Sequence, residues 1–233
     1  MRCFMRKLFI LALFIPAACI SQERPNSIEV FGAFTTSSKL FPLPNDPDEM
    51  NRSLFLSLNN IVHGGVEIRR SIGTPGVQVG LGAEYIQKID VIDVPLLSGS
   101  IPVRDGYHVV PLELTGYFVL PIGNETIQVY MGGGGGMYIG TRLYEYPTAP
   151  AQAIDTKIGF GIHILSGMEY SLTRAFSLRS EIKFRDVQFE AVNQFTQPET
   201  IYNGSIVPLD QTPFSSRLNI DGMMMRFGLA YHF

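Results

Sequence analysis

From Ser27 to Phe233 apolar side chains return at every second position, and no stretch sustains a helical period. Successive side chains of an extended chain point to opposite sides, so this is the mark of strands with two unlike faces. In the segment Val77 to Lys88, Val77, Val79, Leu81, Ala83 and Tyr85 share one face, and Gln78, Gly80, Gly82 and Glu84 the other. The same division recurs in seven more segments: Ser27 to Thr36, Asn60 to Ile72, Tyr107 to Leu120, Glu125 to Arg142, Thr156 to Tyr170, Ser177 to Phe189 and Arg217 to Phe233. Eight strands are therefore predicted.

The connections sort into two kinds. Gly73-Thr74-Pro75-Gly76, Pro121-Ile122-Gly123-Asn124 and Thr173-Arg174 read as tight turns. Ser37 to Asn59, Val91 to Gly106, Leu143 to Asp155 and Glu190 to Ser216 read as long polar or proline-rich loops. Short and long links alternate, so all turns fall at one end of the sheet and all loops at the other. A hairpin hidden around Thr200 to Leu209 would raise the strand number to ten.

The first 21 residues differ from the rest. A basic start (Arg2, Arg6, Lys7), an apolar run from Leu8 to Ile15 and small residues at Ala17, Ala18 and Ser21 have the layout of a secretory signal peptide. Leu8 to Ile20, interrupted by Pro16, is shorter than the roughly 20 residues of a spanning helix. The expected division is a cleaved segment 1–21 followed by one domain, 22–233. Both cysteines, Cys3 and Cys19, lie in the segment removed, so the exported chain has no disulfide. Ala17-Ala18-Cys19 is similar to a lipoprotein cleavage site, but Pro16 stands where that site carries Leu. Loss of Arg2, Arg6 and Lys7 leaves 15 Lys and Arg against 21 Asp and Glu, taking formal net charge from -3 to -6, which argues against nucleic acid as a partner.

Alternation alone does not say which face meets water. Three features favour a membrane: loops and turns at opposite ends, an even strand number with both termini on the turn side, and apolar runs near the 9 to 11 residues that a tilted strand needs. A sheet in lipid must also close on itself, because each unpaired backbone group there costs several kcal/mol. The expected fold is an all-β, closed antiparallel transmembrane barrel of eight strands, with short periplasmic turns and long extracellular loops. Pro111, which removes one ladder donor, is expected near the outer rim.

The end of the chain, Met225-Arg226-Phe227-Gly228-Leu229-Ala230-Tyr231-His232-Phe233, resembles the final strand of bacterial outer-membrane proteins. There a terminal Phe with apolar residues at every second preceding position is read by the barrel-assembly machinery. The resemblance implies that role for Met225, Phe227, Leu229, Tyr231 and Phe233. In pattern and strand count the chain is similar to the small OmpA, OmpX and OmpW barrels of the porin type. It implies outer-membrane lipid and the assembly machinery as partners.

The inward face is expected to hold Glu67, Arg69, Glu84, Glu113, Arg179, Glu181, Lys183, Arg185 and Arg226. Five cations and four anions in an interior only wide enough for side chains form a space-filling network, in preference to a gate or a solute lining. The run Gly132 to Gly136 lacks the Lys-Ser/Thr of a phosphate loop and opens no helix, so it reads as a strand that leaves room for large neighbours. His163, Ser166 and Glu169 are the residue types of lipid A deacylases, yet parity puts Ser166 on the face opposite His163. The other histidines, His63, His108 and His232, are scattered, and no cofactor, metal or catalytic residue is assigned. Tyr85, Phe118, Tyr170, Phe176 and Tyr231, near strand ends, suit the membrane interfaces.

The reading is a non-enzymatic outer-membrane barrel with a structural, binding or limited solute-passage role. Its loops, above all Glu190 to Ser216 and the first, containing Pro42-Leu43-Pro44-Asn45-Asp46-Pro47-Asp48, are the places to meet an extracellular partner. A lipid-modifying enzyme and a soluble periplasmic barrel around an apolar ligand are the alternatives.

Overall fold

The computed structural model describes residues 24–73, 75–96, 99–124 and 126–233. The expected export segment 1–21, with Cys3 and Cys19, lies outside the described residues. Eight strands close one ring. They are β1 (Asn26–Phe41), β2 (Leu56–Ser71), β3 (Val77–Leu96), β4 (Gly99–Gly123), β5 (Ile127–Tyr146), the pair β6 (Ala149–Thr156) and β7 (Gly159–Ser171), then β8 (Phe176–Phe195), and finally a second interrupted strand. That last strand is β11 (Phe214–Ile220) continued by β12 (Met223–His232). Neighbours in sequence are neighbours in space and antiparallel, and β1 pairs with both β2 and β12, from Ser27↔His232 to Thr35↔Met224. Asn26 and Phe233 exchange backbone hydrogen bonds of 3.2 and 2.9 Å at the seam. No membrane-facing edge is left where the ring closes, as the backbone argument requires.

The hairpin expected around Thr200 to Leu209 exists, as β9 (Glu199–Tyr202) and β10 (Ser205–Pro208), but it pairs only with itself. The barrel stays at eight strands because this hairpin is set on the rim, where Thr148 and Thr200 share a hydroxyl hydrogen bond of 2.8 Å.

The sharpest departure from the sequence reading concerns length. β3, β5 and β8 have 20 residues each and β4 has 25, about twice the 9 to 11 that a tilted strand needs to cross the hydrocarbon. Val91 to Gly106 and Leu143 to Asp155, expected as loops, are mostly strand among the described residues. The first link keeps a short helix, α1 (Glu49–Ser53), capped by the Asp48 carboxylate that accepts from the Met50 N–H at 3.0 Å. The barrel wall thus continues well past the membrane on the loop side.

β8 shows how one strand serves both environments. In its first part Arg179, Glu181, Lys183 and Arg185 are buried inside while Phe176, Leu178, Ile182 and Phe184 are exposed outside. Beyond Asp186 the assignment reverses. Val187, Phe189, Ala191 and Phe195 are buried inside, and Gln188 and Gln194 are on the outer face with Asp186 and Glu190. The lower outer face meets lipid and the upper one meets water, and each interior takes the opposite polarity.

Pro111 sits at this change of environment, in mid-strand with its side chain buried, and not at the rim of the molecule. Its pairing with β5 is intact (Pro111↔Tyr138), while the β3–β4 ladder is interrupted for two pairs, between Ala83↔Leu112 and Ile86↔Val109, with no change of register. The missing N–H falls in that interruption. At the same height the inward positions slip by one in both β1 and β2, from Thr35 to Ser38 and from Ile61 to Leu58. Asn60 absorbs the slip with φ 58°, a left-handed conformation that Asn tolerates better than most side chains.

Candidate functional site: a filled lumen beneath an outer wall

Alternation sends every second side chain of eight strands into a narrow interior. Glu67, Arg69, Glu84, Glu113, Arg179, Glu181, Lys183, Arg185 and Arg226 all lie there, each at 5% relative exposure or less. Glu29 and Glu169 join them, so six carboxylates meet five cations.

The lower layer centres on Arg226. Its guanidinium donates to Glu29 at 2.6 and 3.2 Å and to Glu67 at 2.7 Å, and stacks on Phe31 with 4.0 Å to the ring centroid. Arg69 bridges Glu67 and Glu181 and lies 3.8 Å from the Tyr117 ring centroid. The hydroxyls of Tyr117 and Tyr130 donate to Glu67 (2.7 Å) and Glu181 (2.8 Å). Arg179 completes the layer, donating to Glu169 at 2.7 Å and Ser27 at 2.9 Å. Each carboxylate accepts several charged or hydroxyl donors, the condition under which a buried ion-pair network is tolerated.

One step higher, Lys183 donates to Glu113 at 2.7 Å, Arg185 donates to Glu84 at 2.9 Å, and the Tyr138 hydroxyl donates to Glu113. Two histidines flank this layer alike. His63 Nε2 is 3.0 Å from the Thr35 hydroxyl and His163 Nε2 is 2.9 Å from that of Thr115. The glycine run leaves space here: a Cβ on Gly132 would stand 3.1 Å from the Tyr117 ring, and one on Gly136 would stand 2.9 Å from Glu113 Cγ. The run is thus a relief in the wall for lumen side chains.

Above the ions the interior turns apolar. Leu40, Leu58, Ile61, Ile86, Tyr107, Val109, Tyr138, Leu218 and Ile220 form a cluster with no exposed surface, extended by Val187, Phe189 and Ala191. Over it Arg142 forms a two-point pair with Asp105 (2.8 and 2.6 Å) and stacks against Tyr144, 4.4 Å away. Burial pushes the Tyr144 hydroxyl pKa above its ordinary value. Tyr144, Tyr146, Phe195 and Phe214 pack with centroids 5.6 to 5.9 Å apart at the mouth.

The deacylase-like residues are not brought together. His163 and Glu169 are buried in the lumen, whereas Ser166 faces outward and donates to the Tyr130 carbonyl at 3.4 Å. Among the described residues no group of three His, Cys, Asp or Glu side chains is placed to hold a metal ion. His108 is on the outer wall, and His232 lies 3.0 Å from Glu169 at the turn end. Met225, Phe227, Leu229 and Phe233 project outward from the closing strand. Phe176 and Tyr231, 5.3 Å apart, share the turn-side margin with Tyr170.

Glu29, Glu169, Asp105 and Arg142 were missing from the inward set expected from sequence. Glu29 and Glu169 were findable, since each alternates with apolar neighbours as its partners do. Asp105 was not, because it lies in a stretch read as loop.

No protein-family model and no curated protein sequence matches the chain. Solved structures do. A major outer membrane protein from Thermus thermophilus aligns with a TM-score of 0.54 at 13% identity, over 89% of this chain and 99% of that one. The fold is that of a small outer-membrane β-barrel. Neisserial surface protein A aligns over 89% of this barrel and 97% of its own chain at 12% identity and a TM-score of 0.46. Ail of Yersinia pestis aligns over 91% of this barrel and 100% of its own chain at 10% identity and a TM-score of 0.44. Identities this low carry over the architecture of the barrel and nothing of what those proteins bind.

Proposed function

We propose that this chain is a sealed, non-enzymatic outer-membrane barrel whose lower half is an anchor and whose upper half is a rigid wall for binding outside the cell. The observation that carries the reading is the stacking of two fillings in one lumen. A buried ion-pair lattice fills the lipid-crossing part, and a dry apolar cluster around Leu58, Ile86, Tyr107 and Leu218 closes the part above. A solute would have to displace both. This favours a structural and binding role over passage. The opposed faces of His163 and Ser166 speak against nucleophilic catalysis by that pair, and the charged interior speaks against a soluble apolar-ligand barrel, whose core would be greasy throughout.

Export by the N-terminal segment and recognition of Met225, Phe227, Leu229, Tyr231 and Phe233 by the assembly machinery complete the proposal. The partners are outer-membrane lipid, that machinery during biogenesis, and an extracellular ligand on the wall or its rim. The test is single-channel recording from the refolded barrel in planar bilayers. Silence is expected across the usual range of voltage and salt, and steady open events in the intact protein would overturn the sealed reading.

A further inference from the structure

The wall above the membrane has a gap. β5 and β7 pair without interruption from Ile127↔Tyr170 to Tyr138↔Gly159, and β5 meets β6 again at Glu145↔Pro150 and Tyr146↔Ala149. Between those points residues 139–144 and 151–158 have no strand pairing with each other. β6 turns its ladder to β8 instead, from Ala151↔Phe195 to Thr156↔Ala191, with a register shift between Ala153 and Asp155. Six residues of β5 face eight of the opposite strand there, so the register of the lower ladder is displaced by two in the upper one. Pro150, which stands in the upper pair, also has no N–H to give.

Alternate residues of an antiparallel strand turn both backbone groups to the same side, so half of the 139–144 edge faces away from β4. Among the described residues that edge receives one side-chain hydrogen bond. The Asn193 carboxamide reaches from β8 and donates to the Arg142 carbonyl at 3.1 Å. A carboxamide is chemically a peptide group, and here it occupies the position of one ladder N–H. Its own Oδ1 is buried without a partner, as is Thr141 Oγ1 on the margin of the gap. Ile139, Ile154 and Ile158, each 42 to 51% exposed, stand around the outer side.

We propose that this gap is a strand-addition site for an extended polypeptide segment carrying apolar side chains at every second position. The occupant is set by the donors and acceptors available. A row of N–H and C=O groups at ladder spacing is matched by another strand. The exposed isoleucines would contact the alternate side chains of that strand, and Asn193 is the internal group it displaces. The inference rests on the reading of the upper wall as the binding half of the molecule. It fails separately from that reading, since channel recording tests the lumen and the following experiment tests the gap alone.

The probe is an acetylated, amidated hexapeptide of alternating Thr and Val, added to the barrel refolded in lipid nanodiscs and followed by hydrogen exchange. In the free protein the amides of 139–144 that face the gap should exchange faster than those of 127–138. The peptide should slow them, while an analogue N-methylated at alternate amides should not. Asn193→Ala, which removes the competing carboxamide, should tighten peptide binding about fivefold, the worth of one net hydrogen bond. If Asn193→Ala loses its heat-modifiable folded band, the comparison of the two peptides on the unaltered protein still decides. Exchange in 139–144 as slow as in 127–138, no protection by the peptide, or equal protection by the N-methylated analogue would each overturn the proposal.

Discussion

The half of the barrel within the membrane and the half above it are built on the same eight strands with opposite polarity. Below Asp186 the outer face of β8 reads Phe176, Leu178, Ser180, Ile182, Phe184 and the inner face Ser177, Arg179, Glu181, Lys183, Arg185. Above it the outer face reads Gln188, Glu190, Val192, Gln194 and the inner face Val187, Phe189, Ala191, Asn193, Phe195. Surroundings set the outer composition in both halves, lipid in one and water in the other. The interior then follows from what can be excluded. In lipid the apolar side chains are satisfied outside, and the lumen is left to charges that must neutralise one another. In water there is a hydrophobic driving force inward, and the same cylinder acquires an ordinary dry core.

Removing the hub of the ionic half should have the largest effect. Arg226→Met leaves Glu29 without its shortest cation contact and deprives Glu67 of a 2.7 Å partner. A loss of about 3–5 kcal/mol in urea unfolding from lipid vesicles is expected, because a buried charge is stranded. Adding Glu29→Gln should recover part of it. If Arg226→Met were neutral, the lower lumen would have to be wet, and the contrast between the halves would collapse. Next comes the apolar half. Leu58→Ala opens a cavity in a cluster with no exposed surface and should cost about 2–5 kcal/mol, with no rescue available from any charge change. Rescue is therefore what separates the two interiors, more than the size of the loss.

The outer face gives a cleaner contrast, within one strand. Ile182→Arg puts a charge against lipid and should cost about 2–4 kcal/mol if it lies near the midplane. Gln188→Arg, on the same face above the change of polarity, should stay within about 0.5 kcal/mol. Similar costs at both positions would move the membrane boundary off Asp186.

That boundary also marks where the sequence stopped being readable. Up to Phe184 the parity of β8 is plain, and parity alone puts Arg179, Glu181, Lys183 and Arg185 on one face. Past Asp186 apolar residues take the parity that charges held before, so the strand looks as if its pattern had ended, and Glu190 to Ser216 read as loop. The stretches Val91 to Gly106 and Leu143 to Asp155 were lost in the same way, and with them Asp105. Pro111 looked out of place for the same reason: it stands at the change of environment, which only a longer strand makes a mid-strand position. The gap beside β5 has no local signature beyond Pro147 and Pro150, because it depends on a mismatch in residue number between two strands and not on the composition of either.

The smallest effect expected is also a control on that inversion, since two arginine–carboxylate pairs join β4 to β5 at nearly the same height on opposite sides of the wall. Outside, Arg104 and Glu145 are 2.8 Å apart with side chains 57% and 34% exposed. Inside, Arg142 holds Asp105 at 2.8 and 2.6 Å with exposures of 5% and 4%. A double-mutant cycle on the outer pair should return about 0.2–1 kcal/mol. At 1 M salt, where the screening length falls to about 3 Å, that coupling should vanish. The inner pair should keep its coupling at the same salt, because ions in solution do not reach it. Equal salt sensitivity of the two couplings would mean that water penetrates the upper lumen, and would remove the dry core on which the sealed barrel depends.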